Sequence, residues 1–268
     1  MFFAAGRGRL SLLKWMQANY LALNRPAPTD SVLSHSLLTS ACNGNQLDVA
    51  RHVLPDVKPY ASNEGDYGIK KAFQTACEDG QLEVVKLLYQ SFPTVVFPYG
   101  AEMIQALTRA VANGRLLVVK FLVNDKASLA SSTIDFNAVR ECMLNEREAA
   151  ASNGHLEMLE YMTDEFKFHE AQQDTERYYF TCDLQAAYDS GHLHIVQWLC
   201  KRHQPSEKIM KEFLHRVLPA TITEPQWAII KFLFQNYNLF GDAIEYSLYN
   251  AKPFGTASRA YSISMGLE

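Results

Sequence analysis

One phrase recurs along the chain, and it constrains the fold more than any other feature. It reads ACEDGQLEVVKLL at 76–88, AVANGRLLVVKFL at 110–122, AASNGHLEMLEYM at 150–162 and AYDSGHLHIVQWL at 187–199. Earlier forms stand at 4–16, AAGRGRLSLLKWM, and at 41–54, ACNGNQLDVARHVL. The anchor residues are Leu10, Leu47, Leu82, Leu116, Leu156 and Leu193, with Trp227 a seventh in EPQWAIIKFL. The intervals between them are 37, 35, 34, 40, 37 and 34 residues. A period in the mid-thirties, held over most of the chain, is the mark of a supersecondary unit stacked on copies of itself.

Each part of the phrase has a physical reason. Alanine stands four residues before the glycine slot in every unit, at Ala4, Ala41, Ala76, Ala110, Ala150 and Ala187. A small residue kept at one place predicts close contact between helices. Seven before the slot the side chain is large and apolar at Leu38, Phe73, Leu107 and Leu184, while Arg147 breaks the rule. Offsets of three and seven lie on one helical face, which predicts a first helix, A. The slot residue then ends it, because the C-terminal turn wants φ > 0. Asn45 meets the same demand. A second helix, B, follows with apolar residues at Leu82, Val84, Val85, Leu87 and Leu88. That stripe is too wide for one partner, so B is expected to lie between its own A and the next unit.

The phrase A-x-x-x-G-x-L-x-V-V-K-x-L resembles the second half of an ankyrin repeat, over roughly residues 1–235. The resemblance implies an all-α fold, an ankyrin-like α-solenoid of six to seven stacked helix pairs. The Thr-Pro-Leu-His opening of helix A is missing, and the connectors, such as PDVKPYASNEGDY and DEFKFHEAQQDTER, are irregular. Hairpin fingers are therefore expected to be reduced or absent. The solenoid is expected over 1–251, including a capping helix at 240–250, with 252–268 a loose tail. Residues 1–20 begin inside a repeat, and Phe2 and Phe3 are expected to cover its open end. The 40-residue interval between Leu116 and Leu156 carries an insertion around SLASSTIDF. Repeats of this divergent style are similar to those of amoebae, giant viruses and host-manipulating intracellular bacteria.

Composition excludes several classes. With 25 basic and 29 acidic residues the net charge is −4, against broad nucleic-acid binding. A basic stripe of Lys70, Lys71, Arg109, Arg140 and Arg147 on successive A helices is the arrangement that would reverse this. Apolar residues make up 48%, a globular share. Five cysteines point to free thiols in a reducing compartment. No apolar run reaches the roughly 18 residues of a spanning helix, and the charges at Arg7 and Arg9 follow the first apolar residues where a secretory signal would put charge first. The expectation is a cytoplasmic monomer without membrane or nucleic-acid partners, and the effector-like style adds translocation into a host cytosol.

Chemistry-bearing residues read mostly as structure. Cys42 and Cys77 share a slot with Ala5 and Ala151 and are expected to pack. His192, His194, Cys200 and His203 cluster in sequence, but His192 and His194 are two apart and face different ways on a helix, and His155 fills the slot of His192. No metal or cofactor is expected. Trp15 and Trp198 share a slot with Leu87 and Phe121 and are expected in the core. Nothing specifies catalysis, so the chain is read as a non-enzyme; the alternative is an enzyme with a small site in the insertion or the C-terminal helices.

Binding of a partner protein across the concave helix-A and connector face is the expected function, because stacked repeats present a long rigid surface at little ordering cost. The candidate contact residues are Tyr67, Tyr99, Glu102, Asp135, Phe136, Arg140, Tyr178 and Tyr179. Aromatics in or just after connectors are of the type that dominates binding hot spots, and Tyr178 and Tyr179, being adjacent on a helix, cannot both face a core.

Overall fold

The six slot residues take left-handed backbone angles, with φ between 55° at Asn45 and 79° at Gly80 and Gly154. In every case the next residue's N–H reaches back to the alanine carbonyl, from Arg9 to Ala4 at 2.8 Å through His192 to Ala187 at 2.8 Å. The slot N–H bonds the following carbonyl, as Gly114 does to Val111 at 3.0 Å. These paired bonds form a Schellman turn, which satisfies carbonyls that a helix end otherwise leaves bare. The alanine is thus fixed twice. Its carbonyl closes the turn, and its methyl is buried, with at most 4% exposure at Ala4.

The computed structural model describes residues 1–19, 30–57, 67–92, 101–124, 136–166, 173–218 and 222–239. Among these residues the regular structure is helical, and there is no strand. No helix among them is long and apolar enough to cross a membrane. The helices are α1 (Phe2–Gly6), α2 (Leu10–Ala18), α3 (Asp30–Asn43), α4 (Leu47–Val53), α5 (Tyr67–Asp79), α6 (Leu82–Ser91), α7 (Ala101–Ala112), α8 (Leu116–Asn124), α9 (Phe136–Asn145), α10 (Arg147–Ser152), α11 (Leu156–Glu165), α12 (Gln173–Asp189), α13 (Leu193–His203), α14 (Glu207–Val217) and α15 (Glu224–Asn236). The connectors fall largely outside the described residues, as do the capping segment 240–250 and the tail 252–268.

The chain divides into two compact units, Met1–Glu146 and Arg147–Glu268. In the first, the A helices pack in chain order, α1 on α3, α3 on α5, α5 on α7 and α7 on α9. Each of α1, α3, α5 and α7 also holds its own B helix, and B helix α6 meets α8. In the second unit α10 packs on α12, each with its B helix, and α15 packs on α13. The cores are built from fixed positions of helix B. Two and three residues after the anchor stand Val84 and Val85, Val118 and Val119, or Ile195 and Val196, all at most 1% exposed. Six after it come Leu88, Leu122, Met162 and Leu199, also at most 1% exposed. Full burial of such a side chain stabilises by about 1.5–3 kcal/mol, so these positions carry most of the cohesion of each pair.

Three departures from the sequence reading stand out. Helix A of the fifth pair is interrupted at Glu146, which separates α9 from α10 and coincides with the boundary between units. The seventh anchor, whose slot residue in the sequence is Pro225 and not glycine, accordingly has no glycine turn: α15 opens with a capping box between Thr223 and Gln226, with Pro225 in its first turn. Trp15 is 58% exposed and not core; its slot is only half-buried at Leu87, Phe121, Tyr161 and Trp198, because that position lies at the rim of the B-helix stripe. Phe2 and Phe3, expected to cover the first pair, are themselves 49% and 77% exposed.

Candidate functional site

Six of the eight candidate contact residues sit on the first two turns of A helices. Tyr67 and Phe136 are the first residues of α5 and α9, and Glu102 is the second of α7. Their side chains, and all of Tyr99 and Asp135, lie outside the described residues. Arg140 is half-buried on α9. Tyr178 and Tyr179 are the two whose aromatic rings are described. Tyr178 is 63% exposed, the adjacent Tyr179 half-buried. Their ring centroids are 5.6 Å apart and nearly perpendicular, the edge-to-face geometry that aromatic quadrupoles favour. A hydrogen bond with the Cys182 thiol, one turn on, is the main cause that holds the Tyr178 phenol above its ordinary range; the Cys182 charge, burial, Glu148 and Tyr179 add to it. Tyr178 and Tyr179 thus form an exposed aromatic pair on α12, beside Cys182.

Polar contacts tie neighbouring A helices together. Gln74 donates to Gln105 at 3.0 Å. Arg109 pairs with Glu78 at 2.8 Å, both about two-fifths exposed, and Arg115 Nε donates to the Glu78 carbonyl at 2.8 Å. Arg147 is 2% exposed and its guanidinium is spent internally: Nε donates to Asp183 Oδ2 at 2.9 Å, Nη2 to the same oxygen, and Nη1 to Thr163 Oγ1 at 3.0 Å. These facts break the basic stripe. Of its five members Arg147 is buried and Arg109 is neutralised, so it offers no continuous row for phosphates.

The buried pair is an exception that the sequence marked only in part. Asp183 is 1% exposed, and its Oδ1 has no hydrogen-bond partner. Desolvation pushes its carboxyl up, against the opposing pull of the Arg147 charge and hydrogen bonds. Thr163 shares the arrangement from α11, donating to the Leu159 carbonyl at 2.7 Å.

The histidines act as tethers. His192 Nε2 lies 2.9 Å from the Ser152 carbonyl and His194 Nε2 lies 3.1 Å from the Gly154 carbonyl. An imidazole nitrogen facing a carbonyl must carry its proton, so both donate. His203 stacks beside Phe180 at 5.3 Å. Among the described residues no three metal-binding side chains converge.

An open groove of about 530 Å³ was not anticipated. It runs between the C-terminal ends of α13 and α15, lined by Gln197, Cys200, Lys201, Phe232, Asn236 and Tyr237 among others. Burial raises the Cys200 thiol, and its hydrogen bond with Tyr237 only partly offsets that. A thiol held protonated is a poor nucleophile. Gln204, left-handed at φ 44° ahead of Pro205, ends α13 without glycine at the edge of this groove.

Comparison with known proteins gave no family model, no curated protein and no solved structure that matches this chain.

Proposed function

We propose that the chain is a divergent ankyrin-like repeat solenoid that binds a partner protein on the face carried by the N-terminal turns of its A helices. The observation that carries this is the Tyr178–Tyr179 pair. A tyrosine 63% exposed on a 17-residue helix, braced edge-on by its neighbour, does nothing for the core. A rigid aromatic with a polar tip is the side chain that binding surfaces use most, since it offers large area at low entropic cost. The regular Schellman turns support the repeat assignment, because they recur at the glycine slot in six units.

The test is affinity capture from a eukaryotic lysate with the intact chain and Tyr178→Ser/Tyr179→Ser in parallel, with melting curves for both. A protein held by the intact chain and lost by a variant that melts normally supports the proposal. Equal capture by both chains removes the pair from the contact face. A collapsed melting transition in the variant assigns the pair to the core and removes its support.

A further inference from the structure

We propose that the α1–α2 end of the first unit docks on an anionic lipid surface, independently of the protein-binding face above. Four large apolar side chains stand open there: Phe2 at 49%, Phe3 at 77%, Leu12 at 48% and Trp15 at 58% exposed. Helix-B repeat geometry makes this notable. The slot of Leu12 is occupied elsewhere in the unit by Val49, Val84 and Val118, each at most 1% exposed. Leu12 and Trp15 are three apart and share a helical face. Leu13 between them is fully buried, so the helix is anchored inward on one side and presents its apolar stripe on the other.

The charge decides what can cover this face. Residues 1–19 hold Arg7, Arg9 and Lys14 and no acid. The whole chain is −4, so these nineteen residues carry +3 and the remainder carries −7. All three cations are exposed, and the Arg7 guanidinium lies 5.4 Å from the centre of the Phe3 ring. A second copy meeting this face through its own would bring like charges together. Exposed aromatic and leucine side chains in a segment that also carries exposed lysine and arginine match instead the boundary between anionic headgroups and acyl chains. Such a contact lies on the surface and needs no spanning helix.

Trp15 supplies the readout. Trp227 is 8% exposed and Trp198 half-buried, so a change in tryptophan emission on adding vesicles reports chiefly on Trp15. The intact chain would be titrated with vesicles of phosphatidylcholine containing roughly 30% phosphatidylserine, and with phosphatidylcholine alone, by co-sedimentation and emission. The expected result is binding to the anionic vesicles only, with a blue shift that Trp15→Phe abolishes while co-sedimentation persists. Each neutralised cation is expected to cost about fivefold, so Arg7→Gln/Arg9→Gln/Lys14→Gln loses on the order of a hundredfold. Should that variant fail to fold, raising the salt with the intact chain tests the same contact, since screening must weaken the binding. Equal binding to both vesicles, no binding, or a shift that survives in Trp15→Phe overturns the proposal. So does a concentration-dependent dimer that Leu12→Ser/Trp15→Ser dissolves, which would assign the face to a second copy.

Discussion

Removing Asp183 from beneath Arg147 separates two accounts of the second unit. Asp183→Ala strips the acceptor from Nε and Nη2 of a guanidinium only 2% exposed and leaves Nη1 on Thr163 alone. Breaking a buried pair at one end costs about 3–5 kcal/mol, because the surviving charge stays desolvated. By contrast the Arg109–Glu78 pair, with a similar 2.8 Å contact but two-fifths exposed, is worth about 0.2–1 kcal/mol. At about 2–4 °C per kcal/mol the loss of Asp183 lowers Tm by roughly 10 °C. The repeat itself supplies the control. The slot of Arg147 is Leu38, Phe73, Leu107 or Leu184 in other pairs, that of Asp183 is Leu37, Ala72 or Ala106 (and Glu146 in the fifth pair), and that of Thr163 is Leu54, Tyr89, Val123 or Cys200 (and Gln17 in the first). Arg147→Leu/Thr163→Val/Asp183→Ala should therefore return to the stability of the intact chain or exceed it, by up to about 4 kcal/mol. Urea unfolding followed by circular dichroism and tryptophan emission measures both variants, with each transition fitted separately where the two probes do not coincide. An Asp183→Ala variant within about 1 kcal/mol of the intact chain, or a triple variant as weak as the single one, would refute the reasoning.

Three other outcomes follow from the structure. Gly154 has φ 79° and an added methyl would stand 3.0 Å from the His192 ring, so Gly154→Ala should lose about 1–2 kcal/mol in urea unfolding, whereas Asn45→Gly, at φ 55°, should be neutral or slightly stabilising. Burial pushes the Cys42 thiol from 9.0 up to about 12; a raised thiol stabilises the fold fully below pH 9 and loses that contribution as pH climbs toward 12, so alkaline unfolding should be weakened in Cys42→Ala if that small residue packs as Ala5 and Ala151 do. Thr223→Ala removes the capping box of α15 and should cost about 1 kcal/mol, read as a lower urea midpoint at unchanged slope.

What could be read from the sequence was whatever the backbone itself demands. A left-handed turn favours glycine or asparagine, and a closed Schellman bond beside a crowded contact favours alanine, so Ala110 and Gly114 together mark a turn in the sequence alone. The stripe of Val118, Val119 and Leu122 is equally legible, since it follows from a 3.6-residue period. Arg147 was visible as a broken rule, but its partners were not. Asp183 and Thr163 lie 36 and 16 residues away, and a buried pair is decided by distance in space, which no spacing along the chain encodes. The groove beside Cys200 escaped for the same reason, being made by two helix ends meeting.

Trp15 shows where slot logic fails. It assigns a residue the burial of its equivalents, and burial depends on a neighbour as well as on position. Leu87 and Phe121 are half-covered because another pair lies beside them; Tyr89 meets the Phe121 ring edge-on at 5.5 Å. At the α1–α2 end the same slot has no such cover among the described residues, and a tryptophan that would have been rim becomes surface. A repeat thus fixes which side chains form each stacking face but leaves the character of the outermost one open. Here that face is aromatic and basic in a chain that is acidic elsewhere. The proposed docking on an anionic surface rests on this local excess of cations beside exposed apolar side chains.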